Sequence, residues 1–254
     1  MDKELTQLNK LIARWPKGTV FTLTALKKEG YYMQLMDRYK KGQWIESIGF
    51  GAYKRYQDQI DWFGGVYALQ HQLLYKIHAG GKTSLQLHGY AHYLSEYMVS
   101  CYLFSEQRHL LPKWFKNYNW DVTIIFKLGQ LFNQKFDIGF TDYAHKEFSI
   151  KISAPERAIL EMLYLVPGTF GFDESYRIME NLTTLRPAVV QELLENCYSI
   201  KTKRLFMYMA EKAGHSWLDR VNTDHVDFGS GKRAVVENGV LDKKYNITVP
   251  RDFK

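Results

Sequence analysis

Two glycine-rich segments contain the residue types that bind phosphate in nucleotide-binding loops. Gly80–Thr83 (GGKT) has the ending of a P-loop, in which backbone N–H groups and a lysine hold the phosphates. A complete P-loop has a further glycine five positions before the second of these glycines, where this chain has Lys76. Gly229–Arg233 (GSGKR) departs at two positions, with Val226 in place of the early glycine and Arg233 after the lysine. The spacing argues against a nucleotide P-loop and leaves open a looser phosphate contact through backbone N–H groups.

The histidines, serines and carboxylates also miss the spacings of common catalytic sites. His88 and His92 are spaced as in zinc proteases, but Gly89 stands where the catalytic glutamate would follow the first histidine. Ser230 lies between two glycines, but Phe228 replaces the first glycine of the G-x-S-x-G motif of hydrolases. The aspartate pairs have D-x-x-D rather than D-x-D spacing, so a two-metal site has no obvious ligand set. We therefore predict no catalytic site, no metal site and no cofactor.

The residues from Tyr32 to Lys41 have a pattern suited to reading DNA. Apolar residues recur there at helical spacing and predict a buried stripe made of Tyr32, Leu35, Met36 and Tyr39. The opposite face is polar and consists of Gln34, Asp37, Arg38 and Lys41. Arginine and glutamine match the edges of guanine and adenine, whereas lysine mainly contacts phosphates. The pattern predicts a helix that packs on a core and presents a base-reading face.

The elements that must position this helix have the order of a winged helix-turn-helix unit. A short β-prone run, Thr19–Thr22, precedes a helix that ends at Lys28, and Gly30 supplies the tight turn before Tyr32. Farther on, two strands flank the turn Gly49–Gly51 and form a hairpin. In such a unit the second helix of the motif enters the major groove of DNA. The predicted DNA contacts are Thr22, Tyr31, Tyr32, Gln34, Arg38, Lys41, Lys54 and Arg55.

The positive charge is concentrated in the part of the chain that contains this unit. The net charge is +7, and residues 1–94 hold 13 Lys and Arg against 7 Asp and Glu, a net charge of +6. Residues 95–254 have a net charge of +1. Clustered basic charge is the electrostatic signature of a polyanion partner, although a solvated basic surface has the same composition.

Length and composition predict a folded globular protein with one large domain or two ordinary ones, and the predicted elements favour an α+β protein with two domains, residues 1–94 and residues 95–254. The chain has 254 residues, of which 46% are hydrophobic and 24% charged, and this is an ordinary globular balance. Two cysteines do not build a disulfide framework. No signal peptide and no run of roughly 18 to 20 apolar residues is present in the sequence, so we expect a cytoplasmic protein that makes no membrane contact.

The same periodicities predict the remaining elements. Helices are expected at residues 3–15, 61–74, 83–94, 173–183, 187–196 and 201–212, and from Pro155 onwards. Strands are expected at residues 99–104, 114–118, 122–128 and 147–152. A terminal hairpin is expected between residues 232 and 249, around Asn238-Gly239.

Several longer segments resemble one protein family over nearly the whole chain. GQWIESIGFGAYKRYQDQIDWFGGVYALQ (42–70) and GGKTSLQLHGYAHYL (80–94) resemble the N-terminal domain of AbiEi-type antitoxins, from the AbiE type IV toxin–antitoxin systems. Similarity to the C-terminal antitoxin domain is found in SAPERAILEMLYLVP (153–167), KRLFMYMAEKAGHSW (203–217) and GSGKRAVVENGVLDKKYNITVP (229–250). Relatives often begin the reading helix with a small capping residue, where this chain has Tyr31-Tyr32. We therefore expect a weaker cap here.

The resemblance implies a bacterial transcriptional regulator that represses its own operon by binding inverted repeats in the promoter, with two copies pairing on the repeat. It also implies that the second domain counters a nucleotidyltransferase toxin without a stable complex. Basic surface residues matter in the family's second domain, and the candidates here are Lys203, Arg204, Lys232 and Arg233. Two alternatives stay open: a nucleotide- or phosphate-binding protein or enzyme using a glycine-rich segment, and a winged helix used for protein contacts.

Overall fold

The computed structural model describes residues 6–91, 98–108 and 110–253. The chain folds into two compact units that alternate along the sequence. The first unit comprises Met1–His78, Val99–Phe126 and Asp142–Lys151, and the second comprises Ala79–Met98, Lys127–Thr141 and Ile152–Lys254. The predicted domain boundary, between residues 94 and 95, lies outside the described residues and stays a prediction. The mixed α+β class is confirmed.

The first unit begins with three helices and a small antiparallel sheet. The helices are α1 (Gln7–Arg14), α2 (Leu23–Lys28) and α3 (Met33–Lys41). The sheet has the order β1 (Phe21–Thr22), β3 (Ala52–Arg55), β2 (Ile45–Gly49). The order of elements is the predicted one: strand, helix, turn, helix and hairpin. Gly30, with φ of +84°, occupies the tight turn before α3, in the left-handed region that glycine adopts without a steric penalty. The predicted start of the first helix, at residues 3–5, lies outside the described residues.

One apolar cluster holds these elements together. Its buried members are Leu11, Trp15, Phe21, Leu23, Leu26, Tyr31, Leu35, Met36, Ile45 and Tyr53. The indole N–H of Trp15 is satisfied inside the cluster, because it donates to the carbonyl of Thr19 at 3.1 Å. Helix α3 contributes Leu35 and Met36 to this core, as its apolar stripe predicts, and this fixes which side of the helix faces solvent.

Two predicted elements of the first unit have a different form in the structure. The helix expected at residues 61–74 is α4 (Trp62–Tyr67) followed by a π-helical turn, Ala68–Gln72. The prediction of a strand at residues 114–118 is wrong, because α6 (Lys113–Asn117) occupies that position. The aromatic residues there suggested a strand, but Trp114 and Phe115 are both buried by packing against neighbouring aromatic rings.

A five-stranded sheet, most of whose residues belong to the first unit, has the order β6-β5-β4-β8-β7. Its strands are β4 (His78–Ala79), β5 (Ser100–Ser105), β6 (Thr123–Leu128), β7 (Phe140–His145) and β8 (Phe148–Ser153). Strands β5, β6 and β8 match the predictions within one residue at each end. Strands β4 and β7 were missed, since β4 has two residues and β7 has no fully buried side chain.

The second unit is mainly helical. Its helices are α5 (Gly81–Leu87), α7 (Pro155–Tyr164), α8 (Phe172–Asn181), α9 (Pro187–Asn196) and α10 (Ile200–Lys212), with short 3-10 turns at Ser216–Arg220 and Arg251–Phe253. The helix predicted at residues 83–94 ends early, at Leu87, and residues 92–94 lie outside the described part of the chain. The terminal hairpin pairs β9 (Val240–Asp242) with β10 (Ile247–Val249). Its turn is therefore at residues 243–246, whereas Asn238-Gly239 precedes the first strand.

Candidate nucleic-acid interface

The polar face of α3 is open to solvent. Gln34, Asp37, Arg38 and Lys41 are all exposed, whereas Leu35 and Met36 on the opposite side are buried. Asp37 pairs with Lys40 at 2.7 Å, so the carboxylate is partly neutralised within the helix itself. The face therefore presents an amide, a guanidinium and an ammonium group, the donors that contact base edges and phosphates.

The start of α3 lacks a side-chain cap, as expected from the two tyrosines. Tyr32 is the N-cap residue and makes no capping hydrogen bond with its side chain. Its ring is 48% exposed, and its hydroxyl accepts a long hydrogen bond of 3.4 Å from Nη2 of Arg38. The prediction that Tyr32 belongs to the buried stripe is therefore wrong, and the ring lies on the exposed side of the helix.

Serine at position 32 is expected to give a more stable protein than alanine at the same position. The backbone of Tyr32 already has the extended conformation of an N-cap (φ −128°, ψ 163°). A serine hydroxyl there would accept from a free N–H of the first turn, which typically adds about 1 kcal/mol. In urea denaturation, Tyr32→Ser should exceed Tyr32→Ala in free energy of unfolding by that amount. Equal stabilities of the two variants, which both lack the ring, would contradict the capping account.

Two of the predicted DNA-contact residues have structural roles instead. Tyr31 is 5% exposed, and its hydroxyl donates to the carbonyl of Gln7 at 3.0 Å. Thr22 is 2% exposed and caps α2, with its hydroxyl accepting from the N–H of Ala25 at 3.3 Å. Both side chains are removed from solvent by the core that they help to close, so neither is available to DNA.

The two basic residues of the hairpin are also engaged within the unit. The guanidinium of Arg55 donates to the carbonyl of Ile12 at 2.5 Å and to that of Trp15, so it stabilises the C-terminal end of α1. Lys54 pairs with Glu46 at 3.2 Å and donates to the carbonyl of Asp58 at 2.8 Å. A hydrogen bond from the N–H of Gln57 lowers the pKa of Glu46 and so keeps this partner of Lys54 ionised. The predicted DNA contact by the two hairpin cations is not supported by this geometry.

Sequence reasoning overlooked three exposed residues next to α3. Lys27 and Lys28, in the last turn of α2, are both exposed. Phe50, in the hairpin turn, is 87% exposed. The lysines could have been found from the predicted motif, since its first helix lies against the backbone of DNA when the second helix is in the groove. No sequence pattern distinguishes Phe50 from a buried turn residue.

The four basic candidates of the second unit separate into two buried and two accessible residues. Lys203 and Arg204 are 2% and 4% exposed, which corrects their assignment to the surface. Arg204 donates to the carbonyls of Phe228, Gly229, Gly231 and Asn246 at 2.6–3.2 Å. Lys232 is exposed and Arg233 is half-buried. Arg204 therefore shapes the loop that carries the accessible candidates.

The two glycine-rich segments make contacts within the protein that differ from those of a phosphate-binding loop. The N–H of Gly81, at the start of α5, donates to the carboxylate of Glu161 at 3.0 Å, and Lys82 pairs with Glu174 at 2.7 Å. In the loop Gly229–Arg233, the carbonyls converge on the guanidinium of Arg204. A phosphate needs convergent N–H groups and an available cation. In the first segment, carboxylates bind the N–H of Gly81 and the ammonium of Lys82, where a phosphate would bind. In the second segment, the groups that converge are carbonyl oxygens, which accept hydrogen bonds and do not bind a phosphate.

Of the two histidines at zinc-protease spacing, the structure describes His88. The side chain of His88 lies against the carbonyl of Ser153, with Nε2 at 3.1 Å from the oxygen, and His92 lies outside the described residues. Among the described residues, no group of three or more His, Cys, Asp or Glu side chains is arranged to hold a metal ion. Separately, none of the helices among the described residues is long and apolar enough to cross a membrane.

The element order defines an α+β protein in which two helices joined by a tight turn are followed by a hairpin near the N-terminus. Comparison with protein families is more specific. The AbiEi antitoxin transcriptional regulators of type IV toxin–antitoxin systems match residues 99–250, and the AbiEi antitoxin N-terminal domain matches residues 4–96. The chain belongs to this family, which confirms the resemblance seen in the sequence.

A solved structure supports the fold over nearly the full length. The crystal structure of the RV2827C protein from Mycobacterium tuberculosis matches with a TM-score of 0.57, covering 94% of this chain and 88% of that chain at 12% sequence identity. At this identity the likeness concerns the fold alone. No curated protein matches the sequence.

Proposed function

We propose that α2, α3 and the β2–β3 hairpin form a winged helix-turn-helix that binds double-stranded promoter DNA and represses the protein's own operon. The observation that carries this proposal is the two-sided character of α3. Leu35 and Met36 anchor it in the core, while Gln34, Arg38 and Lys41 are exposed along its other side. A helix held in this way can enter the major groove without loss of packing.

The neighbouring charges support an orientation on the duplex. Lys27 and Lys28 extend the basic surface from α3 onto the end of α2, where they can contact phosphates, while Arg38 and Gln34 reach base edges. Two copies of the protein on an inverted repeat would place one α3 in each half-site. The family is one of transcriptional regulators, and a repressor acts where its operon is transcribed, in the bacterial cytoplasm.

For the second unit we propose the antitoxin activity, directed against a nucleotidyltransferase toxin from the same operon without a stable complex. The family name supports the antitoxin role. The candidate surface is reduced to Lys232 and Arg233, since these two basic residues are accessible on a loop whose carbonyls are held by Arg204. Replacement of either residue by alanine should leave DNA binding unaltered, because the proposed DNA-binding elements belong to the first unit and these two residues to the second.

Binding to the DNA directly upstream of the coding sequence is expected to be strongly salt-dependent. Each phosphate contact releases counterions, so three lysines per copy (Lys27, Lys28 and Lys41) on two copies predict a slope of about −5 for log K against log salt. Fluorescence anisotropy of a labelled upstream duplex measures this slope. Absence of binding at low salt would reject the DNA-binding proposal and favour a helix-turn-helix used for protein contacts.

A further inference from the structure

Phe50 is a large apolar side chain in a turn that is held in one conformation. Its ring is 87% exposed. On one side of it, Gly49 lies so close to α6 that an added Cβ would be 2.8 Å from Cβ of Trp114. On the other side, Gly51 has φ of +74°, and its carbonyl accepts from the N–H of Leu23 at 2.7 Å. The turn is thus fixed against α6 and the start of α2, and it presents the ring to solvent.

The surroundings of Phe50 connect it to the proposed DNA-binding surface. The turn borders an open groove of about 350 Å³ that is also lined by Thr24 and Lys27 of α2 and by Met33 in the first turn of α3. Among the described residues that line this groove, Lys27 is the only one with a charged side chain, and none has a carboxylate. An apolar ring beside a basic helix therefore lies at the edge of the surface that α3 offers to DNA.

We propose that Phe50 enters the minor groove next to the α3 half-site and partly unstacks one base step. Apolar side chains act as such wedges in several classes of minor-groove-binding protein. The proposal rests on the proposed DNA-binding function and adds to it the apolar contact and the groove in which it is made. Hydrogen-bonding side chains on α3 read base edges, whereas Phe50 selects steps that unstack easily, such as pyrimidine–purine steps.

The test combines binding with a probe of base stacking. The probe is the duplex directly upstream of the coding sequence, with 2-aminopurine placed in turn at its adenine positions, because this base fluoresces more strongly when it is unstacked. Wild type should raise the fluorescence at one position in each half-site. Phe50→Ala should lose this signal and bind about tenfold more weakly, since the ring is no longer buried on binding, while Phe50→Leu should keep most of both.

The matched control removes an exposed aromatic ring from the second unit. Tyr198 is 61% exposed, and Tyr198→Ala should leave affinity and fluorescence unchanged. Thermal unfolding by circular dichroism should be the same for wild type and Phe50→Ala, because the ring contributes little to the core.

Three other outcomes would overturn the wedge. Equal affinity and fluorescence for wild type and Phe50→Ala would overturn it while leaving the DNA-binding proposal intact. Failure of wild type to bind the duplex would reject both proposals. Self-association of wild type without DNA, lost in Phe50→Ala by sedimentation equilibrium, would show that Phe50 is a contact between copies of the chain.

Discussion

Replacement of Arg204 by leucine is expected to lower the free energy of unfolding by about 1–3 kcal/mol, because Arg204 is buried and the hydrogen bonds of its charged guanidinium are lost. The guanidinium bonds to four carbonyls, three in the loop that follows Val226 and the fourth at Asn246. Leucine fills part of the space but donates no hydrogen bond. Urea denaturation monitored by circular dichroism measures the loss.

The control for Arg204→Leu is the same substitution at Arg233, in the same loop. Arg233 is half-buried, and its Nη1 donates to the carbonyl of Lys232 at 3.3 Å, a long contact with the adjacent residue. Arg233→Leu should therefore change the free energy of unfolding by less than about 1 kcal/mol, as is usual for accessible charged residues. If the two variants were equally stable, Arg204 would not be the residue that organises this loop.

Helices α2 and α3 and the β2–β3 hairpin could be predicted from sequence because their signals are local. The apolar spacing of Leu35 and Met36, the turn glycine Gly30 and the hairpin turn are all encoded within a few residues of the element they define. The helices that begin at Pro155 and Pro187 were also predicted correctly, since proline favours the first helical position.

The engagement of Arg55 and Arg204 within the protein could not be predicted, because it depends on distant contacts. Arg55 donates to a carbonyl 43 positions earlier in the chain, and Arg204 to one 42 positions later. In sequence these arginines are indistinguishable from Arg38, which is exposed. For the same reason the interleaving of the two units was missed, as it arises from packing between segments such as 99–126 that are remote from the rest of their unit in sequence.

Arg38→Ala is expected to reduce affinity for the upstream duplex at least tenfold. A bidentate contact from arginine to guanine contributes about 1–3 kcal/mol of discrimination against other bases. Arg38 is exposed on α3, and its hydrogen bond within the unit is the 3.4 Å contact with Tyr32, so its loss should not disturb the fold. Affinity for a scrambled duplex should fall much less, because nonspecific binding depends on the total positive charge.

A matched variant separates the loss of a base contact from the loss of one charge. Lys10 is exposed on α1, outside the proposed reading helix, and Lys10→Ala removes the same unit of charge from the same compact unit. It should lower affinity for upstream and scrambled duplexes by a similar small factor and leave their ratio unchanged.

The most direct test of the central claim, that α3 reads the promoter, is the ratio of affinities for upstream and scrambled duplexes, measured by anisotropy at one salt concentration. For wild type and Lys10→Ala the ratio should be about 10³ or more, as is typical of specific over nonspecific binding. For Arg38→Ala the ratio should fall at least tenfold. A ratio that is the same in Arg38→Ala as in wild type, with binding to the upstream duplex intact, would contradict the account.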